Sequence, residues 1–525
     1  GRIQRFNAVE GDPASLPSDN VLSLAFDARG ELWIGTMSGL VRFDGKRMQR
    51  ETLPGGDALI IYSVTVDGDS IWAGTSAGVY RWRRNGGWST PAWSPMFERP
   101  NAVMAMAADG HGEYWLASQG GLWHTDGDRA PAPIAQDNQG VGVGRVLQTV
   151  LMQPDGGLWV PVPTRGVAYL RSDWRRIASF TPAQGLGGGL YRGLATSASG
   201  TGIWLVSSIG GVERLDTASG EVEPLGVHAQ RLKELRFTSV LEDRQGRLWL
   251  GHRNGLIRID PRTGEKREWS NAEGTDQVPD GTSVDWLVQT GDGSLWLATQ
   301  MGSLQHRDGQ TGQVLDSLAR SEQDSEPSEI DTMLAGPDGQ LWTASNRGIE
   351  RWDPVQRRFV TVIGAGVERV LSFAFVAPDQ LWLHRLSGLE HWRRRDGRWT
   401  QVRQIAPKHG LPALESTGMT IDPEKRVWLA TRRGLFRIEA PTDEAPVRVR
   451  NFGVRDGLMS QEFNDRGLLM ASGGLLAGST ADGSVMLLDT ALPDPPALVP
   501  HLLLDGLQVN QRDQTVHLPM KGGFE

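Results

Sequence analysis

The sequence predicts an all-β protein made of tandem β-propellers, and three observations lead to this prediction. First, a strand that carries Trp and a following turn with Gly recur ten times in the 525 residues, many copies are preceded by an Asp-Gly turn, and a last copy without Trp brings the count to eleven. Second, successive copies lie 39 to 48 residues apart, which is the length of a four-stranded propeller blade. Third, the 66 Gly and 29 Pro interrupt the chain too often for long helices.

Each copy predicts four short strands, named a to d from the innermost to the outermost. In the first copy these are residues 21–26, 31–36, 40–44 and 47–52, each bounded by turn residues. The Asp-Gly turn before strand b supplies a Gly with positive φ and an Asp that bonds the local backbone. The repeat positions in strand b are Trp33, Trp72, Trp115, Trp159, Trp204, Trp249, Trp296, Trp342, Trp382, Trp428 and, in a last copy without Trp, Leu476. We interpret these Trp as blade core rather than binding surface.

Eleven blades are too many for one ring, because propellers typically have about 4–8 blades. Residues 1–490 are therefore predicted to form two rings. A five-plus-six division would place the boundary near 220–236, and a seven-plus-four division would place it at 307–330; the spacing favours neither. After residue 490 the repeat stops at a proline-rich joint, and 499–504 and 514–518 are predicted strands.

Composition excludes several classes of function. The net charge of −8, without long runs of one sign, argues against a nucleic-acid partner. No run approaches the roughly 20 apolar residues that span a bilayer, so we expect any membrane anchor to lie outside these residues. The absence of Cys excludes disulfides and Cys-ligated zinc, and the ten His lack the spacing of a zinc site. We therefore predict no metal site, and we also predict no cofactor and no catalytic residues.

Residues 16–21 and 27–45, which read Leu-Pro-Ser-Asp-Asn-Val and Asp-x-x-Gly-x-Leu-Trp-Ile-Gly-Thr-x-x-Gly-Leu-x-Arg-Phe-Asp-Gly, resemble the two-component regulator propeller repeat. The resemblance extends over residues 1–490, and the segment 452–478 looks like the last repeat of such proteins. Residues 491–525 look like a linker and the first strands of an Ig-like domain, often called the triple-Tyr domain.

This resemblance implies the periplasmic sensor region of a bacterial membrane receptor. The output domain of such a receptor is a histidine kinase, a hybrid kinase or a diguanylate cyclase. The expected ligand is a small molecule or an oligosaccharide. A homodimer of the full-length receptor is also expected.

The loops between strands b and c are where the copies differ most, and they share a face with the connections between blades. Arg, His and Asn are frequent in the later loops. Arg binds carboxylates and sulfates in a bidentate manner, which favours an acidic glycan; a single loop Arg more often pairs with a neighbouring acid. Trp286, on a strand a, is a candidate stacking platform. The candidate ligand-binding residues are Arg165, His252, Arg253, Asn254, Trp286, Asn346, Arg347, His384, Arg385, Arg432 and Arg433.

Three classes of function fit a propeller of this kind. A ligand-sensing module is the main hypothesis, in which the ligand biases the geometry of a dimer. The alternative is an enzyme, such as a lyase similar to streptogramin lyases, which share a Gly-x-Leu-Trp repeat, or a polysaccharide-degrading lyase. No Ser-His-Asp order or isolated carboxylate pair stands out from the blade turns. A purely structural scaffold is the third class.

Overall fold

The computed structural model describes residues 3–134, 146–172, 176–226, 232, 235–270, 277–278, 283–300, 302–318, 330–440, 445–491 and 494, and the backbone of 507–509 and 512–514. Within this part of the chain, eleven antiparallel sheets of three or four strands follow one another, which confirms the predicted all-β propeller fold. We number these sheets blades 1 to 11. The predicted strand 499–504 and all but the first residue of 514–518 lie outside the described residues.

Blades 1 to 4 use strands in sequence order from the inside outwards. Their strands are β1 (Val21–Phe26), β2 (Leu32–Thr36), β3 (Gly39–Phe43) and β4 (Met48–Glu51) in blade 1; β5 (Ile61–Asp67), β6 (Ser70–Thr75), β7 (Gly78–Arg83) and β8 (Gly87–Ser89) in blade 2; β9 (Val103–Ala108), β10 (Tyr114–Ser118), β11 (Gly121–Thr125) and β12 (Ala132–Ile134) in blade 3; and β13 (Leu151–Met152), β14 (Leu158–Val162) and β15 (Gly166–Leu170) in blade 4.

Blades 5 to 10 repeat this order, and blade 11 differs. After β16 (Ile177–Phe180), the strands are β17 (Tyr191–Thr196), β18 (Gly202–Ser207), β19 (Val212–Asp216) and β20 (Val222–Pro224) in blade 5; and β21 (Phe237–Glu242), β22 (Leu248–His252), β23 (Gly255–Ile259) and β24 (Lys266–Ser270) in blade 6. They continue as β25 (Val284–Gln289), β26 (Leu295–Thr299), β27 (Leu304–Arg307) and β28 (Val314–Leu318) in blade 7; β29 (Ile330–Ala335), β30 (Leu341–Ser345), β31 (Gly348–Asp353) and β32 (Arg358–Gly364) in blade 8; and β33 (Ser372–Ala377), β34 (Gln380–Arg385), β35 (Gly388–Arg395) and β36 (Arg398–Ile405) in blade 9. The last are β37 (Ser416–Ile421), β38 (Val427–Thr431), β39 (Gly434–Glu439) and β40 (Arg448–Phe452) in blade 10; and β41 (Phe463–Met470), β42 (Leu475–Thr480) and β43 (Val485–Asp489) in blade 11.

The remaining described elements are small. A hairpin of β44 (Leu507–Val509) and β45 (Arg512–Gln514) follows the last blade. Short 3-10 turns occupy Ser94–Phe97, Pro182–Gln184, Pro407–His409, Val454–Asp456 and Ser472–Gly474. Among the described residues, no helix is long and apolar enough to cross a membrane.

The repeat Trp residues form the cores between blades. Nine of the ten are at most 6% exposed, whereas Trp159 in blade 4 is 37% exposed. Trp33, for example, packs with Leu40 of its own blade against Ile61 and Val64 of blade 2. A Trp at this position therefore joins one blade to the next, whereas Trp159 packs on Tyr169 of its own blade with 4.6 Å between centroids and is partly exposed.

The Asp of the turn before strand b also binds the Trp of that strand. In blade 6 the indole Nε1 of Trp249 donates to Asp243 Oδ2 at 2.9 Å, and in blade 10 Trp428 donates to Asp422 Oδ2 at 2.7 Å. The same Asp accepts backbone N–H groups of its own turn. One carboxylate thus fixes both the turn and the Trp that follows it, which explains why the two recur together.

Blades 5 to 11 form a closed ring of seven. The early strand β16 pairs with β43 and becomes the outermost strand of blade 11. On the inner side, the amide Nδ2 of Asn464 in β41 donates to the carbonyl oxygen of Tyr191 in β17 at 3.1 Å. One apolar core contains Leu205 of blade 5 together with Val485 of blade 11. The first and last blades of this ring are therefore in direct contact.

This closure corrects both predicted ring boundaries. Blades 5 and 6 share a core across 220–236, which includes Trp204 and Val240. Blades 7 and 8 likewise share a core across 307–330, which includes Trp296 and Met333. The chain instead divides between β15 and β16, so four blades precede a ring of seven. We call blades 1 to 4 the four-blade arc and blades 5 to 11 the seven-bladed ring.

The joint after the last blade is held by three arginines. Arg176, which is buried, and Arg437 each donate to Asp494 Oδ1 at 3.1 Å, and Arg450 pairs with the same carboxylate. Burial alone would raise the pKa of Asp494, but the bond from Arg437 and the charges of Arg450 and Arg176 outweigh it and lower that pKa. The chain therefore leaves the ring at a fixed point between β16, β39 and β40.

Candidate functional site

One end of the seven-bladed ring carries a cavity of about 640 Å³ at the mouth of its central channel. The starts of strands a and the b–c loops of blades 5, 6 and 7 surround it. Its apolar lining comes from Leu190, Ile209, Leu235 and Phe237, and its polar lining includes side chains of Ser208, Thr238, Ser283 and Gln300. We call it the arginine cavity because Arg192, Arg236 and Arg253 complete its wall.

The three arginines reach the cavity from three local positions. Arg192 is the second residue of β17, Arg236 directly precedes β21, and Arg253 lies in the b–c loop of blade 6. The backbone N–H of Arg253 donates to the carbonyl oxygen of Arg236 at 3.2 Å, which fixes this loop beside the strand. All three are exposed. No ion pair or side-chain hydrogen bond is formed by these three in the described part of the chain, so their positive charge is not neutralised locally.

The opposite side of the channel mouth is also charged, but its arginines are paired with carboxylates. A smaller cavity of about 210 Å³ lies there, lined by residues of blades 8 to 11. Arg369 pairs with Asp331 at 3.3 Å, and Arg432 pairs with Asp465 at 3.2 Å. The mouth is therefore asymmetric, with unneutralised arginines on one side and ion pairs on the other. Arg432 is thus a loop Arg that pairs with a neighbouring acid, which was the alternative to ligand binding.

Trp286 lies on the inner strand of blade 7 and is half-buried. Its indole Nε1 donates to the carbonyl oxygen of Ile330 at 3.2 Å. The guanidinium of Arg466 lies 5.7 Å from its ring centroid, and Arg466 also pairs with Asp285 at 3.0 Å. Neighbouring groups thus occupy both the edge of this indole and one of its faces, and Trp286 lines neither cavity.

His252 points into its own blade instead of the cavity. It is buried, and its ring lies edge-on to Phe237 with 6.3 Å between centroids. Its Nδ1 accepts the backbone N–H of Asn254 at 3.3 Å, which shapes the b–c loop. Burial lowers the pKa of His252. His252 thus positions the loop that carries Arg253.

His384 and Arg385 are also enclosed within blade 9. His384 is fully buried, and its Nδ1 lies 2.9 Å from Ser416 Oγ. The guanidinium of Arg385 donates to the carbonyl oxygen of Gly364 at 3.0 Å and pairs with Glu390 at 3.2 Å. Arg385 therefore ties together the blade and the connection that follows β32, and its donors are engaged within the protein.

His384 makes stability depend on pH. Burial lowers the pKa of His384 from 6.5 to about 4, although Glu368 opposes this effect. Between these two values the unfolded chain binds a proton that the folded chain does not, so the free energy of unfolding falls as the pH drops from about 6.5 towards 4. His384→Gln should reduce this slope in equilibrium denaturation, and adding His252→Gln should reduce it further. An unchanged slope in both variants would contradict this account.

The other predicted residues lie in exposed turns. Asn254 shares the b–c loop with Arg253, Asn346 and Arg347 form the loop of blade 8, and Arg433 follows Arg432 in blade 10. Arg165 belongs to blade 4, outside the seven-bladed ring that carries the other predicted residues. Of the eleven predicted residues, the arginine cavity contains Arg253 and the smaller cavity contains Arg432.

Arg192 and Arg236 are the site residues that the sequence analysis missed. Both precede or begin a strand a, whereas the prediction considered the b–c loops. The sequence did contain a signal for them, because the connections between blades, which lead into each strand a, were expected on the same face as the b–c loops. A search for charged residues at the start of each strand a would have found this pair.

The described residues offer little for catalysis. Ser416 Oγ lies beside His384 Nδ1, but His384 Nε2 has no hydrogen-bond partner within the described structure, so no acid orients this pair as in a Ser-His-Asp triad. In the same part of the chain, no group of three His, Asp or Glu could hold a metal ion. The arginine cavity itself contains bond donors and apolar walls, which suit binding.

Comparisons with known proteins agree with the repeat. Residues 15–38 and 231–254, in blades 1 and 6, match the sequence profile of the family described as two component regulator propeller. The search of curated proteins gave no match.

Three solved structures are among those similar to this chain. The extracellular domain of a protein described as a hybrid two component system of B. thetaiotaomicron is 18% identical over 95% of this chain and 68% of that chain, with a TM-score of 0.45. Virginiamycin B lyase from Staphylococcus aureus is 13% identical over 60% and 98%, with a TM-score of 0.46. PorZ, a surface component of the type-IX secretion system of Porphyromonas gingivalis, is 15% identical over 91% and 70%, with a TM-score of 0.45.

Proposed function

We propose that the chain is the ligand-sensing region of a bacterial transmembrane signalling receptor and that it binds an acidic oligosaccharide in the arginine cavity. One observation carries the proposal: three exposed arginines, which form no ion pair with the residues that the structure describes, surround a cavity of about 640 Å³. The match of two blades to the two component regulator propeller profile supports the sensor role. A periplasmic location follows from this role.

The chemistry of the cavity suits a sugar acid. A guanidinium group binds a carboxylate or sulfate through two parallel N–H···O bonds. Leu190, Ile209 and Phe237 offer apolar surface to the hydrophobic face of a sugar ring, and Ser283 and Gln300 offer partners for its hydroxyl groups. The volume lies in the range of small-molecule sites, which is about 300–1,000 Å³.

Signalling requires a ligand that distinguishes two states of the receptor, because a ligand with equal affinity for both states does not shift the equilibrium between them. The cavity spans blades 5, 6 and 7, so a bound ligand would bridge three separate sheets. We propose that this bridging biases the geometry of a receptor dimer and that a following Ig-like domain of the triple-Tyr type passes the change to the membrane. The output domain would be a histidine kinase, a hybrid kinase or a diguanylate cyclase.

The test is binding of uronic-acid oligosaccharides to the purified chain, measured by thermal shift and calorimetry. Uronate oligosaccharides should raise the unfolding temperature, whereas neutral oligosaccharides of equal length should bind more weakly. Arg192→Ala and Arg253→Ala should each weaken binding by roughly 10- to 100-fold, because a hydrogen bond to a charged group contributes about 1.5–3 kcal/mol.

Arg433→Ala is the matched control, since Arg433 is an exposed b–c loop arginine outside both cavities. It should bind like the wild type. Unchanged affinity in the Arg192 and Arg253 variants would remove the cavity from the proposal. Consumption of the oligosaccharide at catalytic rates would replace the sensor by the lyase alternative.

A further inference from the structure

Strands a of the seven-bladed ring share a bulge near their start. In blades 5, 6, 7, 8 and 10 the second residue of strand a is an extra residue without a partner on strand b. These residues are Arg192, Thr238, Asp285, Asp331 and Thr417. A bulge takes the side chain of its extra residue out of the regular alternation of the strand.

The bulge residues lie at the mouth of the channel. Arg192 and Thr238 line the arginine cavity, and Asp331 and Thr417 line the smaller cavity. Asp285 has the same position in blade 7, which lies between these two pairs of blades along the chain. The bulge of strand a is therefore the position from which these blades supply a side chain to the mouth.

The bulge of blade 11 is longer than the others. Phe463 pairs with Thr480 and Leu468 pairs with Gly478, so four residues of β41 stand opposite one residue of β42. Arg466 lies within this bulge, and its φ of 62° is in the left-handed region. It forms an ion pair with Asp285 at 3.0 Å. Because blades 7 and 11 are not neighbours in the ring, the longer bulge brings Arg466 across the channel.

This ion pair connects the walls of the two cavities. Arg466 lines the smaller cavity and donates to Asp285 Oδ2. Asp285 Oδ1 accepts a hydrogen bond at 2.6 Å from Ser283 Oγ, and Ser283 lines the arginine cavity. The Arg466 guanidinium also lies beside Trp286, which donates to the carbonyl oxygen of Ile330 in the wall of the smaller cavity. These side chains therefore form a continuous barrier between the two cavities.

The barrier is held by several interactions at once. The side chains of Arg466 and Asp285 are only 20% and 12% exposed, and a partly buried ion pair is screened by salt much less than an exposed pair. The cation–π contact with Trp286 adds a second attachment for the guanidinium. We therefore expect the barrier to stay in place when a ligand occupies the arginine cavity.

We propose that Arg466 limits the length of the bound oligosaccharide, because it ends the arginine cavity on the side of the smaller cavity. This inference rests on the proposed function of the arginine cavity. A short acidic oligosaccharide fills the cavity of about 640 Å³ and stops at the barrier. Without the Arg466 side chain, that cavity continues into the smaller one of about 210 Å³, where Ser416 and Thr417 offer hydroxyl groups to further sugar residues.

A purely structural role of the ion pair would give a different result. If the pair only held blades 7 and 11 together, its loss would weaken the binding of short and long oligosaccharides to the same degree. A barrier instead affects only the ligands that are long enough to reach it. The ratio of the affinities for a long and a short oligosaccharide therefore separates the two roles.

Calorimetry with a uronate trisaccharide and a uronate hexasaccharide tests the proposal on the purified full chain. The wild type should bind both with similar affinity. The double variant Arg466→Gly with Asp285→Asn removes the barrier without changing the net charge, and Gly accepts the positive φ of this position. It should bind the hexasaccharide about 10-fold more tightly than the trisaccharide, the gain expected for one or two added hydrogen bonds.

Three further variants make the result specific. Arg466→Gly alone should change the ratio in the same direction but less, because the unpaired carboxylate of Asp285 repels an acidic ligand. Arg466→Lys keeps a positive charge opposite Asp285 and should restore the ratio of the wild type. Arg433→Ala, which removes a positive charge outside both cavities, is the control and should leave the ratio unchanged.

The outcomes distinguish this inference from the function on which it rests. An equal ratio of affinities in the wild type and in the double variant would overturn the role of Arg466, and so would a wild type that already prefers the hexasaccharide. If neither oligosaccharide binds to the wild type, the proposed function of the arginine cavity is wrong, and the inference fails with it.

Discussion

Trp249→Ala should lower the free energy of unfolding by about 3–5 kcal/mol, the loss expected for truncating a fully buried Trp. Its ring stacks on Trp269 with 5.4 Å between centroids and 12° between planes. Its Nε1 donates to Asp243 at 2.9 Å, and the guanidinium of Arg258 lies 5.5 Å from its centroid. The substitution therefore removes packing between blades 6 and 7 and leaves a buried carboxylate oxygen without one of its donors.

Equilibrium denaturation with urea measures this loss, and Val355→Ala at the exposed turn of blade 8 is the control. The control should change stability by less than about 0.5 kcal/mol, as for most surface substitutions. A loss below about 1 kcal/mol for Trp249→Ala would mean that the core between these blades collapses to fill the space. The repeat Trp would then not be the main link between neighbouring blades.

Asp422→Ala should have the second largest effect, with a loss of about 3 kcal/mol of unfolding free energy. The carboxylate is buried and accepts the backbone N–H of Arg426 at 2.8 Å, Arg426 Nε at 2.6 Å and Trp428 Nε1 at 2.7 Å. Removing it leaves the indole N–H of a fully buried Trp without its acceptor. It also leaves the Arg426 guanidinium beside an empty space.

Asp27→Ala provides the comparison, because Asp27 has the same place in the turn of blade 1. There the Trp33 Nε1 is 3.3 Å from the carboxylate, and the turn is more exposed. We expect a loss of about 1 kcal/mol. Equal losses for the two variants would show that the local turn, rather than the buried bond to Trp, determines the effect. The same denaturation experiment measures both.

The blades could be predicted from the sequence because each is encoded locally. The Asp-Gly turn, the Trp and the loop Gly lie within about a dozen residues, and short strands between turn residues specify a meander. The strand order of blade 1 and the core position of Trp33 follow from this pattern alone. The spacing between copies then gives the number of blades.

The division into a four-blade arc and a seven-bladed ring could not be predicted in this way. Every copy of the repeat contains the same core, so the spacing is the same whether two neighbouring copies share a ring or not. The deciding feature is the pairing of β16 with β43, two strands far apart in the sequence. β16 is only Ile177–Phe180, and no local signal marks its partner.

The candidate site was predicted only in part, for a related reason. Residue type does not reveal burial: His252, His384 and Arg385 are the residues expected of a polar site, yet each is enclosed in its blade. Arg253 is the predicted residue that lines the arginine cavity. Its companion Arg192 is on a strand, where the alternation of inward and outward side chains must be known before exposure can be inferred.

The pairing of β16 with β43 also determines when the ring can close during synthesis of the chain. Ile177 pairs opposite Leu488, so at about 5–20 residues per second the ribosome takes roughly 15–60 s to make the partner of a strand that has already emerged. During this interval β16 is an edge strand without a neighbour, which is a site for mispairing with other chains. Blades 5 to 10 can fold as they appear, but the last blade must be complete before the circle can close. If a ribosome stalls before residue 488, the ring of the nascent chain stays open, and its unpaired edge strand β16 can pair with other chains.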